Sequence, residues 1–235
     1  MKRIQIALVG DFNEKIHTLV ALNHSIDHAR PQLPFELQTT WIPTQRVEKL
    51  FSAWHVYHGI WIVPGSPYEN DAGVFDVIRK AREENMPLLG TCGGFQYMIL
   101  EYARNVLGIY QAAHQENNAG GDFIISKLNC SLKGEEERLM LQGDSWLYQV
   151  LKTDLMNAKY FCSYGINPEY YEMLKDDKIH FTAFSSHGDA RAFELRGHPF
   201  FNGVLFQPSL ESSMENPNPL LVDFFTRCSN FCPSG

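Results

Sequence analysis

Along the first ninety residues, short apolar runs alternate with stretches whose apolar positions recur every three to four residues. Ile4 to Val9 is a β-branched run ended by Gly10 and Asp11, the pattern of a strand buried on both faces. Ile16, Leu19, Val20 and Ile26 then recur at helical spacing, and residues 35–42 alternate through Phe35, Leu37, Thr39 and Trp41 as a strand does. Gly59 to Pro64 is a second buried run. Val74, Val77, Ile78 and Ala81 mark the apolar face of a helix over 72–85, which Asn85-Met86-Pro87 closes before a strand at Leu88 to Thr91. A helix follows directly from Gly93, with Phe95, Met98, Ile99, Tyr102 and Val106 on its apolar side and Gly108 where a C-terminal cap belongs. Strands alternating with helices predict an α/β fold, a mostly parallel central sheet with helices on both faces.

After residue 110 the pattern changes. The stretch 112–122 is polar and Gly-rich and reads as a loop rather than a packed element. From 123 to 206 the chain reads as shorter strands, among them 179–184 and 191–195 around the turn Ser185 to Ala190, then 203–206. These predict a small antiparallel extension. With no repeat, low-complexity tract or linker, the simplest organisation is a single domain over 1–228 and a loose tail over 229–235.

Composition narrows the function classes. The chain has 235 residues, 44% hydrophobic and 13% aromatic, which excludes a disordered chain. No apolar run approaches the roughly 20 residues of a membrane helix, and the run behind Lys2 and Arg3 is too short for a signal peptide. A net charge of −7 with no basic cluster argues against nucleic acid as a partner. Cys92, Cys130, Cys162, Cys228 and Cys232 are odd in number, scattered and without a C-x-x-C, so neither a disulfide framework nor a zinc site is expected. The expected setting is a reducing cytoplasm, and no metal or cofactor is implied.

The chemistry concentrates in Leu88-Leu89-Gly90-Thr91-Cys92-Gly93-Gly94-Phe95-Gln96. A strand ends, one residue occupies the turn and a helix begins, which is the arrangement of a nucleophile elbow with Cys in the nucleophile position. The helix N-terminus offers free N–H groups and a positive dipole end, which favour a thiolate and a developing oxyanion. The competing reading is a buried structural Cys between two packing glycines.

That segment, continued by Glu101-Tyr102-Ala103-Arg104-Asn105-Val106-Leu107-Gly108, resembles class I glutamine amidotransferases, and more narrowly the glutaminase domain of CTP synthase. Ile4 to Gly10, Val63-Pro64-Gly65, His198-Pro199-Phe200-Phe201 and Asn218-Pro219-Leu220 extend the resemblance over nearly the whole chain. It implies a flavodoxin-like sheet, Cys92 attacking a glutamine side-chain amide to form a glutamyl thioester, and ammonia passed to a separate synthetase domain. It also implies an oxyanion hole at Gly93 and the Gly65-Ser66 loop, with Gln96 contacting glutamine and Glu116 holding its amino group.

Three departures accompany the match. The family's catalytic His-Pro-Glu falls on Gln207-Pro208-Ser209, and neither Gln207 nor Ser209 can serve as a base or orient one. The family's R-H-R-Y segment, which clamps the substrate carboxylate, falls on Phe161-Cys162-Ser163-Tyr164, leaving Ser163 and Tyr164 at the substrate positions. The second oxyanion-loop glycine is Ser66. Replacement bases are sought at His187, in the turn Ser185 to Asp189, and at His114 near Glu116. His198 belongs to the family pattern without being its base, and Glu211 reads as a solvated loop carboxylate.

With no G-x-x-x-x-G-K-[ST] motif, the chain is not expected to make CTP by itself. Two functions follow from this reading. One is a Cys-dependent hydrolase or transferase acting on another small amide or ester, with ordinary glutaminase activity lost or impaired. The other is a non-catalytic pseudo-glutaminase that binds a metabolite or protein partner. Either takes a small amide- or amino-acid-like ligand, and either permits a homo-oligomer or a separate partner protein.

Overall fold

In the computed structural model, which describes residues 1–117 and 120–233, the first half of the chain is β1 (Arg3–Val9), α1 (His17–Ala29), β2 (Glu36–Ile42), α2 (Val47–Ser52), β3 (Gly59–Ile62) and α3 (Asp71–Glu83). Next come β4 (Leu88–Thr91), α4 (Gly93–Asn105), β5 (Ala112–His114), β6 (Asp122–Lys127), β7 (Glu136–Leu141) and α5 (Trp146–Leu151). The chain closes with β8 (Leu155–Lys159), β9 (Tyr164–Ile166), β10 (Ile179–Phe184), β11 (Ala190–Leu195), β12 (Phe201–Val204) and α6 (Pro219–Asn230).

One sheet of nine strands runs in the order β2-β1-β3-β4-β12-β11-β10-β7-β8. The strands from β2 to β12 are parallel, and those from β11 to β8 are antiparallel. Mostly apolar side chains on both faces explain why β1, β3 and β4 occupy the middle, where helices cover each side. On one side Gly59 and Trp61 meet α6, the former against Cys228 and the latter against Phe224 and Phe225. On the other, Gly90 lies under α4 and Ile62 touches it through its carbonyl.

The contact with α4 is unusually close. A Cβ added at Gly94 would stand 2.2 Å from the Ile62 carbonyl oxygen, so only glycine lets the helix settle there. A second sheet, β5-β6-β9, lies beside α4 and leads the chain back toward the end of β4. Between α3 and α4, Arg82 donates to both carboxylate oxygens of Glu101, whose side chain is fully buried.

Several sequence expectations are corrected here. Residues 112–114 form β5 and are buried, although the stretch is polar; His114 is accommodated because both of its ring nitrogens find partners. Asn118 and Ala119, within the expected loop, lie outside the described residues. The last core strand is 201–204 rather than 203–206: the amide of Leu205 turns to the Arg191 carbonyl, while Leu205 and Phe206 stay buried. The expected tail begins too early, since α6 runs to Asn230 and Lys2 donates to the Ser229 carbonyl. The last two tail positions, 234 and 235, lie outside the described residues.

Removing the buried anion tests the packing of α3 on α4. Glu101→Ala leaves the largely buried Arg82 guanidinium without its two-point partner and should lower stability by about 2–4 kcal/mol, read as a drop in the urea midpoint without a change in slope.

Candidate active site

At the C-terminal edge of the parallel strands the chain passes from β4 to α4 through one residue. Cys92 holds φ 53° and ψ −108°, a conformation L-residues avoid at a cost of roughly 1–3 kcal/mol. The Cys92 amide still bonds to the Val204 carbonyl of β12 at 3.0 Å, so the neighbouring strand β12 holds the elbow.

A cavity of about 180 Å³ opens over the sulfur. Its walls include Gly65, Ser66, Gln96, Glu116, Ser163, Tyr164 and Gln207, with Cys162 alongside Cys92. Cys92 is 6% exposed, so it meets solvent only through this opening. The loop carrying Gly65 is anchored at a distance by Asp11, which accepts from the amides of Thr44 and Glu69. A Cβ at Gly93 would come within 2.8 Å of the Ser66 amide nitrogen, which shows how closely that loop approaches the elbow. Gly65 takes φ 134° and absorbs the turn; Ser66 itself needs no positive φ, so serine fits there without strain.

Gln96 ties the walls together. Its Oε1 accepts from the Ser66 hydroxyl and from His114 Nε2, while its Nε2 donates to the Tyr164 carbonyl at 2.8 Å. His114 Nδ1 accepts from the Glu116 amide, which sets the tautomer with the proton on Nε2. Burial pushes the His114 pKa down to about 4. This imidazole is therefore neutral and fully engaged.

The sulfur sits among donors. Interactions with the neighbouring Cys162 thiol, the Gly93 amide and the Gln207 side chain together outweigh burial and hold the Cys92 thiol below its usual value. In its neutral form Cys92 donates to the Phe161 carbonyl at 3.9 Å, a long and weak contact. Cys162 moves the other way: its interaction with Cys92 and its own burial push its thiol well up. Burial also raises the Glu116 carboxyl, and the Lys133 ammonium partly offsets the effect.

The glutamine amidotransferase class-I family model matches residues 18–226. The chain belongs to that family. CTP synthase from Sulfolobus acidocaldarius is 28% identical over 97% of this chain and 46% of its own length; the Cytophaga hutchinsonii enzyme is 28% identical over 98% and 45%. The chain thus spans about half the length of the curated relatives it matches. Among solved structures, the Trypanosoma brucei CTPS glutaminase domain with bound acivicin superposes with a TM-score of 0.87 at 20% identity, covering 97% of this chain and 94% of that one. A glutamine amidotransferase from Thermotoga maritima superposes with a TM-score of 0.60 at 10% identity, over 96% and 95%. These likenesses show the amidotransferase fold, with a mostly parallel sheet and added antiparallel strands.

Within this amidotransferase-fold site, the structure gathers Cys92, Gly65, Ser66, Gln96, Glu116, Ser163, Tyr164 and Gln207 around one cavity, with Gly93 beneath it. It does not gather Ser209 or His187. Ser209 is buried in the turn after Gln207 and is absent from the lining. His187 sits at the tip of the β10–β11 hairpin and lines a different cavity, of about 620 Å³, with Asp189 and Arg191. The hairpin ends on the same sheet edge as the elbow, but β12 stands between them. No histidine lines the Cys92 cavity among the described residues.

His114 proves to be a brace for Gln96 and Glu116, and Glu211 is half-buried with its carboxyl pushed up to about 7 by burial, away from the cavity. His198 bonds the Ala81 carbonyl and accepts from the Phe200 amide, a purely local role. Lys133 and Cys162 are lining residues that sequence reasoning missed. Lys133 sits in a charged loop without periodicity, and nothing in the spacing shows that Cys162 faces Cys92.

Two titrations follow. Alkylation of Cys92 by iodoacetamide should keep its rate at a lower pH than an ordinary thiol, because a lowered pKa moves the thiolate inflection down; Gln207→Leu removes a donor and should move the inflection back up, read by rate against pH. His114 binds its proton more weakly folded than unfolded, so its contribution to stability is complete above its ordinary value of 6.5 and declines as pH falls toward about 4. The wild-type chain should therefore lose up to about 3 kcal/mol more than His114→Gln across that window, measured by denaturant melts at each pH.

Proposed function

We propose that Cys92 is the nucleophile of a glutaminase-type site that lacks a proton carrier, so that ordinary glutamine hydrolysis is lost or strongly impaired while the sulfur retains the capacity to capture small amide or ester carbonyls. The observation that carries this reading is the identity of the group beside the sulfur: the amide of Gln207, which can donate a hydrogen bond but cannot accept a proton.

Attack of the Cys92 thiolate on a carbonyl would build charge on its oxygen, where the amides of Gly93 and of the Gly65-Ser66 loop lie near the elbow. Up to that point no imidazole is needed, because the helix end and the neighbouring donors keep the thiolate available. Collapse of the adduct is different. An amide nitrogen leaves only once protonated, and water attacks the resulting thioester only with help from a base. With His114 engaged and His187 in another cavity, neither proton has a route. An ester, whose oxygen leaves more readily, would acylate the sulfur and stay there.

Glu116 and Lys133 on the cavity wall give an amino-acid-like ligand a carboxylate for its ammonium group and a cation for its carboxylate. Ser163, where the resemblance expects an Arg clamp, forms a hydrogen bond to Ser131 instead, which weakens recognition of glutamine itself. This reading includes a reducing cytoplasmic setting, and a homo-oligomer or a separate partner protein. The second reading, a pseudo-glutaminase that holds a ligand without turnover, draws support from Gln207 Oε1, which is buried with no hydrogen-bond partner and so suits a bound donor.

Restoring the missing pair separates the two. Gln207→His with Ser209→Glu should raise ammonia release from glutamine by about 10²–10⁴ over the natural chain, with Cys92→Ala as the blank. An ester substrate should leave an acyl group on Cys92 of the natural chain, visible by mass spectrometry. Glutaminase turnover by the natural chain comparable to the double variant would overturn the first reading. Absence of any acyl adduct would favour the second.

A further inference from the structure

The cavity contains a second nucleophile that the amidotransferase chemistry does not use. Cys162 is buried, lies in the irregular stretch between β8 and β9, and faces Cys92 across the same 180 Å³ space. Its position is held from both sides: the Leu132 amide donates to the Cys162 carbonyl at 3.0 Å, and the Gln207 backbone amide donates to the Lys159 carbonyl at 2.9 Å. The Cys92 sulfur is 3.9 Å from the carbonyl oxygen of Phe161, the residue that precedes Cys162. All five cysteines are free thiols in this structure, and Cys92 and Cys162 are the two that share a cavity wall.

We infer that Cys92 and Cys162 form a dithiol site for small hydroperoxides, in which Cys92 takes the oxygen and Cys162 resolves it to a disulfide. The inference rests on the reading of Cys92 as an available thiolate. Gln207 adds an independent observation: it lines the cavity, is almost completely buried, and its Oε1 has no hydrogen-bond partner. That oxygen is a free acceptor for a ligand's donor group, the O–H of a hydroperoxide included.

The oxidation balances with the hydroperoxide as its oxidant, and a dithiol reductant closes the cycle. The Cys92 thiolate attacks the terminal oxygen of the hydroperoxide; the sulfur–oxygen bond forms, the O–O bond breaks, and the alkoxide leaves to be protonated by water as an alcohol. Sulfur is oxidised by two electrons to a sulfenic acid and the peroxide is reduced by the same two. Cys162 then loses its proton and attacks the Cys92 sulfur, forming the S–S bond, while hydroxide departs and combines with that proton as water. A dithiol reductant returns the pair to its starting state by exchange.

Because Cys162 is held in loop backbone rather than in a strand, the short approach needed for the bond falls on a segment outside either sheet ladder. The two exposed thiols, Cys130 and Cys232, provide the internal comparison.

The test uses the full, fully reduced chain and hydrogen peroxide at one equivalent near neutral pH. Expected is a Cys92–Cys162 linked peptide as the main product in non-reducing peptide mapping, with Cys130 and Cys232 still free. Iodoacetamide labelling of Cys92 should fall at least about tenfold and return on adding dithiothreitol. Cys162→Ser should stop the reaction at a dimedone-reactive sulfenic acid on Cys92; if that variant does not fold, the wild-type peptide map decides alone. Oxidation of Cys92 with Cys162 left free, or oxidation confined to Cys130 and Cys232, overturns the pairing, while rapid alkylation of Cys92 before peroxide is added leaves the nucleophile reading standing. If Cys92 alkylates no faster than Cys130 before peroxide is added, both readings fall.

Discussion

The site depends on one close backbone contact, the first turn of α4 resting on the carbonyl of Ile62. At Gly94 there is no room for a single methyl group, and this intimacy brings the free amides at the helix start up to the sheet edge. It also forces the one residue between β4 and α4 into a strained conformation. The strain is sustained by neighbours on both sides: β12 holds the Cys92 amide, and the Gly65-Ser66 loop packs over Gly93. The placing of the sulfur, the free helix-start amides and the cavity mouth are consequences of that one packing decision.

Around this elbow the protein has built a neutral polar frame. Gln96, Ser66, His114 and the Tyr164 carbonyl satisfy one another in a connected set, and His114 is kept uncharged within it. Frames of this kind rigidify a cavity without supplying a proton carrier. Charge enters the cavity wall through Glu116 and Lys133. What lies beside the sulfur is an amide and a second thiol, groups that tune its charge state but move protons poorly at neutral pH.

The central strands and the helices between them were legible because burial on both faces writes continuous apolar runs, and amphipathic helices write a 3.6-residue period. Cys92, Gly93 and Gln96 were equally legible, since the elbow is a local event within nine residues. Where polar residues are buried, the pattern misleads: 112–114 reads as a loop yet forms β5, because partners distant in sequence satisfy His114. Glu211 looked solvated for the same reason, its burial being imposed by elements that its own neighbours do not announce. The placement of His187 required knowing that two strands of the sheet order lie between β10 and β4.

Local sequence determined the amidotransferase scaffold and the elbow, both written in short-range patterns. Tertiary structure alone decided which side chains face the sulfur: that Gln207 and Cys162 do, that His187 does not, and that His114 is occupied elsewhere. The physical reason is range. Periodicity and tight turns are written in neighbouring residues, whereas proton transfer and thiol chemistry act over a few ångströms between segments that only the packed sheet brings together.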